Sequence, residues 1–292
     1  MQIVYHIGVH CTDEDRLLRS ILKNKTLLKQ EKILAPGARS YRKPIREALQ
    51  GVMGGAPGPH LRGELLSMIV PDQGDVNRLI LSNENFICVV PRIFERGRLY
   101  NLLESKIDGF QRIFFQDEIE IFLSIRNPAT FIPAVWQRTE GRGLEEYLQG
   151  FNPASLRWSS LCARIIEVAP HVDLTVWCNE DTPLIWDRLL HEITGLPETQ
   201  PLHGGLDILA DIMTEDGVAA LKDHLQKTQD MDGETMMDIK VDYLENHLIP
   251  DAMEEELDVP GWTTQYVEKL THLYDLDVER LMSMPGVNFI RP

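Results

Sequence analysis

No apolar run in the 292-residue sequence reaches the roughly 18 residues that a membrane-spanning helix requires. The opening stretch, Met1-Gln2-Ile3-Val4-Tyr5-His6-Ile7, also lacks the charged n-region and long h-region of a secretory signal. Positive charge is scarce: 29 Lys+Arg stand against 45 Asp+Glu, for a formal net charge of −16. A field of that sign repels phosphodiester backbones and anionic lipid surfaces. The expected protein is therefore cytoplasmic and soluble, with neither nucleic acid nor membrane as a partner. Cys11, Cys88, Cys162 and Cys178 have no CxxC or zinc-ligand spacing. They read as reduced, packed thiols, and no metal site is expected. GxxxxGK[ST] is absent, which argues against a P-loop nucleoside triphosphatase. No internal repeat or low-complexity tract occurs.

What remains is a chain with 43% apolar residues, enough to bury a substantial core. Ile3–Ile7 reads as a strand closed by Gly8, and Leu17, Leu18, Ile21 and Leu22 place a helix over 13–25. Thr12 followed by Asp15 resembles a capping box at its start. Residues 35–63, rich in Gly and Pro, read as loop with a short helix near Pro44–Gln50. They also hold the one dense basic stretch: Arg39, Arg42, Lys43 and Arg46. Arg78–Leu81 predicts a buried strand leading into a polar loop. Glu118–Ile125 (EIEIFLSI) predicts a strand that enters the middle of a parallel sheet. Helices are expected over 131–137, 144–148, 154–169, 183–194 and 264–282, with a strand at 173–177. Alternating strands and helices give an α/β, three-layer fold with a largely parallel central sheet. A composition shift towards Met and acid near residue 200 divides the chain into a core over 1–200 and an acidic, mainly helical C-terminal subdomain over 201–292 that packs on it. Asp230–Glu234 faintly resembles a calcium loop but lacks the ligand spacing and the closing Glu.

Chemistry could sit in three places. The first is the loop from His6 to Arg16, because a strand feeding a helix N-terminus points backbone N–H groups at an anion. Here Asp13, Glu14 and Asp15 oppose that. At an effective dielectric near 20, a carboxylate about 5 Å from a bound phosphate charge costs roughly 3 kcal/mol, against about 0.3–1 from a helix dipole. The second is Arg126-Asn127-Pro128 at the carboxyl end of a strand, with Trp136 and Arg138 downstream. Open α/β sheets bind ligands at that edge, and Arg126 either contacts an anion or ties loop carbonyls together. The third is Glu84 in Ser82-Asn83-Glu84-Asn85, either a general base or a helix cap. His6 and His10 are candidates for acid–base work or anion contact, although a lone histidine beside a strand is more often packed and hydrogen-bonded than catalytic.

In order and spacing these three places resemble the bacterial branch of the sulfotransferase family, whose members transfer a sulfo group from 3′-phosphoadenosine 5′-phosphosulfate. That family has a first loop of the type HIGxxKTGTT, a middle segment near SSE, and a later RxP with Ser eight residues after the Arg. The counterparts are His6-Ile7-Gly8 through Asp15, Leu81–Phe86, and Arg126-Asn127-Pro128 through Trp136. The following segments 143–148 and 156–195 look similar as well. The resemblance implies a P-loop-like α/β fold. It assigns Gly8, Cys11, Thr12, Arg126 and Ala134 to the donor site; in an active enzyme with a rebuilt donor site Glu84 is the expected base and His10, which does not sit at the family position, lies near the transferred group. The family's Lys falls on Cys11, its Gly-Thr-Thr on Asp13-Glu14-Asp15, and its Ser on Ala134.

Two readings follow. In one, the chain transfers a sulfo group to a small-molecule or carbohydrate-type acceptor bearing a hydroxyl or amine. In the other, it keeps the fold without the reaction and binds another ligand or a protein partner. A third, less specific reading is an unrelated phosphate-binding enzyme that folds the basic stretch Arg39–Lys43 over the carboxyl edge.

Overall fold

The computed structural model describes residues 1–55, 58–70, 75–228, 233–253 and 259–292. Asp230, Met231 and Asp232 of the calcium-like stretch, and Glu254–Glu256, lie outside the described residues. The protein is α/β: a six-stranded, all-parallel sheet flanked by helices on both faces.

The strands are β1 (Gln2–His6), β2 (Ile33–Leu34), β3 (Arg78–Ser82), β4 (Glu118–Ile125), β5 (Asp173–Cys178) and β6 (Val287–Ile290). They are ordered β2-β3-β1-β4-β5-β6. Alternation along each strand sends side chains to two separate cores, as the two-residue period of a strand requires. Ile3, Tyr5, Leu79, Leu81, Ile119, Ile121 and Leu123 face one; Val4, Ile80, Phe122 and Trp177 face the other. Both central strands are thus buried on both faces, which is why β4 is so apolar.

The helices are α1 (Arg16–Leu22), α2 (Lys25–Gln30), α3 (Ala38–Gly54), α4 (Leu61–Ile69), α5 (Leu103–Ile113), α6 (Pro128–Gln137), α7 (Leu144–Leu148), α8 (Trp158–Val168), α9 (Thr182–Thr194), α10 (Asp207–Ile212), α11 (Glu215–Lys227), α12 (Gly233–His247) and α13 (Thr264–Met282). Residues of α3, α4, α5, α6 and α8 pack into the first core, and those of α1, α2 and α9 into the second.

Besides β2, α4 and α5, where no element was expected, three elements depart from the sequence reading. Residues 38–54 form one continuous helix across Pro44, where loop with a short helix was expected. Losing the hydrogen bond that Pro44 cannot donate is outweighed by a buried stripe at helical spacing, Tyr41, Ile45, Ala48, Leu49 and Val52. Secondly, α1 starts at Arg16, because Glu14 and Asp15 take left-handed backbone angles, φ 50° and 66°. Thirdly, Val287–Ile290 supplies the sixth strand, so the sheet includes residues from beyond position 200.

The C-terminal part is accordingly shared out. Helices α10 to α12 hold a small cluster of their own around Leu209, Met213, Val218 and Leu221. By contrast, α13 returns to the main body, where buried Asp277 accepts a hydrogen bond from the Ser159 N–H at the start of α8, 3.1 Å away.

Candidate functional site

Beyond β1 the chain stays bonded to β4 before it turns. Ile7 N–H donates to the Phe122 carbonyl at 3.0 Å and Val9 N–H to the Ser124 carbonyl at 2.7 Å. Thr12 then closes a turn, its hydroxyl donating to the Val9 carbonyl at 2.7 Å. Four residues of this loop lie in the left-handed region: Gly8 at φ 97°, Cys11 at 60°, Glu14 at 50° and Asp15 at 66°. For the three that are not glycine this costs about 1–2 kcal/mol each. Gly8 is needed for a second reason: a Cβ there would sit 3.2 Å from the His10 nitrogen and 3.4 Å from the Glu84 Cα. The expected capping box does not form, because Thr12 is bonded backwards to Val9 and Asp15 makes no side-chain cap. Asp13 caps α1 instead, its Oδ2 accepting from Leu17 N–H at 3.1 Å.

Glu84, just beyond β3, reaches into this loop. Its Oε2 accepts the Cys11 N–H at 3.1 Å, and its Oε1 accepts from Arg138 Nη1 at 3.1 Å. The other Arg138 nitrogen pairs with Glu14, and Arg42 pairs with Asp15 while also donating to the Ser82 carbonyl at 3.0 Å. Arg126, at the end of β4, is 8% exposed; it donates to the Cys11 carbonyl at 2.5 Å and from Nε to Thr130 Oγ1 at 3.0 Å. The three sequence-predicted places therefore meet at one residue, Cys11. They meet in contact with one another: a carboxylate holds the Cys11 N–H and a guanidinium holds its carbonyl.

The remaining predicted residues are less available. His10 is fully buried; Tyr100 OH lies 2.8 Å from its Nδ1 and the Cys88 carbonyl accepts from its Nε2 at 3.1 Å. Burial drives its pKa down to about 4, so the ring is neutral and both nitrogens are engaged in packing. Of the two roles expected for His10, the packed and hydrogen-bonded one matches this placement, as a support under the loop. His6 is also buried, bonded through Nδ1 to Ser82 Oγ at 2.9 Å, and its pKa is lowered by burial. Burial pushes the Cys11 thiol up to about 11, which keeps it protonated. Ala134 packs on the first core from α6 and has no side-chain donor for an anion.

Sequence reasoning missed the clamp made by Arg138 and the pairing of Arg42 with Asp15. Neither spacing gives a signal, since the partners lie 54 and 27 residues apart in the chain. The basic stretch did signal itself. It forms the exposed side of α3 and, with Asn83 and Asn85 beyond β3, lines a cavity of about 650 Å³. Among the described residues no group of three or more His, Cys, Asp or Glu side chains could hold a metal ion, and no helix is long and apolar enough to cross a membrane.

The N–H groups of Val9, His10 and Cys11 are all bonded within the chain, to Ser124, Tyr100 and Glu84. An incoming anion at Cys11 would have to displace a charge-assisted hydrogen bond worth about 1.5–3 kcal/mol. No family model, curated protein or solved structure matches the chain.

Proposed function

We propose that the chain is a binding protein on a sulfotransferase-like α/β scaffold that does not transfer sulfo groups, its first loop being closed by its own side chains. One observation carries this reading: Glu84 accepts the Cys11 N–H, placing a carboxylate where a donor phosphosulfate would need that N–H. Glu84 and Glu14 already pair with Arg138 and Asp15 with Arg42, so a nucleotide phosphate would have to displace these carboxylates from their guanidinium partners, and no lysine stands in the loop to receive it. Arg126 in this reading is a tie that fixes the Cys11 carbonyl.

The convergence of Glu84 and Arg126 on Cys11 favours a second reading, sulfo transfer from 3′-phosphoadenosine 5′-phosphosulfate. There, Glu84 would take the proton of the acceptor hydroxyl as its oxygen bonds to sulfur. The bond from sulfur to the bridging oxygen would break, and 3′-phosphoadenosine 5′-phosphate would leave, held by Arg126. Calorimetric titration with that bisphosphate separates the two readings without an acceptor. The first predicts that any heat folded wild-type protein gives at millimolar nucleotide is unchanged in Arg126→Ala, because the closed loop takes no part in it. Micromolar binding that is lost in Arg126→Ala, with folding verified by circular dichroism, would overturn it in favour of sulfo transfer.

A further inference from the structure

The cavity of about 650 Å³ lies between the first half of α3 and the segment running from Asn83 to Arg92. Its volume is that of a small-molecule site. Six cationic side chains line it, Arg39, Arg42, Lys43, Arg46, Arg92 and Lys106, and among the described residues no carboxylate does. This reverses the composition of a chain that carries 45 acids and 29 bases.

Helical geometry produces the basic wall. Positions 39, 42, 43 and 46 share one stripe of α3, on the side opposite Tyr41, Ile45, Ala48 and Val52, which are buried in the core. Arg42, Lys43 and Arg92 have acidic partners that stand outside the lining: Asp15, Glu47 and Glu95. Arg39, Arg46 and Lys106 make no ion pair among the described residues. Lys106 is half-buried, and burial together with the positive charge of Arg92 lowers its pKa. The floor between the cations is apolar, built from Leu49, Phe86, Ile87 and Leu102.

We infer that this cavity binds a small organic polyanion, a molecule with two or more phosphate or sulfate groups on an apolar or ring-shaped body. The anionic groups meet guanidinium forks that suit phosphate and sulfate oxygens. The body covers Leu49 and Phe86, and the amides of Asn83 and Asn85 offer neutral donors. A polyanionic polymer is disfavoured, because beyond the cavity it would meet a molecule of net charge −16. The inference rests on the binding reading above and supplies its ligand class.

The test is a fluorescence titration of the full chain with hydroxypyrene trisulfonate, with tripolyphosphate as competitor, at low and at physiological salt. Submillimolar binding is expected, displaced by tripolyphosphate and weaker at higher salt. Arg46→Glu, at an exposed position, and Lys106→Glu should each weaken it about tenfold or more, since each removes a charge-assisted contact and adds a repulsive one. Lys222→Glu, at an exposed position of α11 outside the lining, should leave it unchanged. No binding at millimolar trisulfonate, equal binding by both charge-reversal variants, or tighter binding of a single-stranded oligonucleotide would each overturn the inference. Failure here leaves the closed-loop reading intact, whereas nucleotide binding lost in Arg126→Ala overturns that reading and not this one.

Discussion

The loop after β1 and the cavity beside α3 lie on the same carboxyl edge of the sheet, and Arg42 belongs to both. Their charges are nevertheless arranged in opposite ways. In the loop, Glu84 and Glu14 meet Arg138, Asp15 meets Arg42, and Arg126 holds a carbonyl. In the cavity, Arg39, Arg46 and Lys106 face a space that no carboxylate of the described residues lines. The edge of an open α/β sheet is where ligands bind, but position alone does not make a site. What distinguishes the two regions is whether the chain has already satisfied the groups it gathers there.

The largest test of the closed loop is its response to acid. His10 has a folded pKa of about 4, below its ordinary 6.5, so the native state binds fewer protons than the unfolded chain between those values. Its contribution is complete above pH 6.5 and is lost as pH falls towards 4, on the order of 3 kcal/mol in all. Urea denaturation across this range should show that loss, and His10→Gln should flatten it. A ring that titrates near 6.5 by NMR would mean that His10 is not sealed under the loop, and would break the contrast with the cavity.

Next in size is Gly8→Ala. At φ 97° a Cβ would press on the His10 nitrogen and on Glu84, and the variant should lose about 2 kcal/mol in urea. An unchanged denaturation midpoint would show that the loop is loose enough to rearrange around a ligand.

The central part of this architecture was legible in the sequence, and the reason is physical. β4 announced itself because a strand buried on both faces has to be apolar throughout, and α13 because its buried positions keep helical spacing over 19 residues. The short edge strand β6 gave no such signal: four residues, only Ile290 fully buried. α3 was obscured by Pro44, whose local rule was overridden by the burial of Tyr41 and Ile45. At the site, Glu84 and Arg126 were legible as residues at strand ends. What they would touch was not, because the answer depended on Cys11 taking a left-handed angle and on Arg138 arriving from the far end of α6.

Glu84→Gln sharpens the comparison at a smaller scale. The amide oxygen can still accept the Cys11 N–H, but the attraction to Arg138 is lost. With Arg138 one-third exposed, the cost should be about 1 kcal/mol or less. Sulfo transfer should remain absent in both proteins; its appearance in the variant would mean that the Glu84 charge was all that barred the donor. A destabilisation of several kcal/mol would show instead that the Glu84–Arg138 pair holds the loop's fold as well as its charge.

The smallest effect tests the opposite side. Removing a charge from the loop breaks a partnership, but removing one from the cavity relieves a repulsion. Lys106→Met, which keeps the apolar length of the side chain, should therefore raise the stability of the ligand-free protein by a few tenths of a kcal/mol. Tripolyphosphate should reverse that order. An anion that binds only the folded state stabilises it by RT ln(1 + [L]/Kd), about 2.7 kcal/mol at a hundredfold excess over Kd. Wild-type protein should gain more than Lys106→Met across a thermal-shift series in that salt. Equal gains would show that Lys106 takes no part in anion binding, and the contrast between a closed loop and an open cavity would then rest on Arg39 and Arg46 alone.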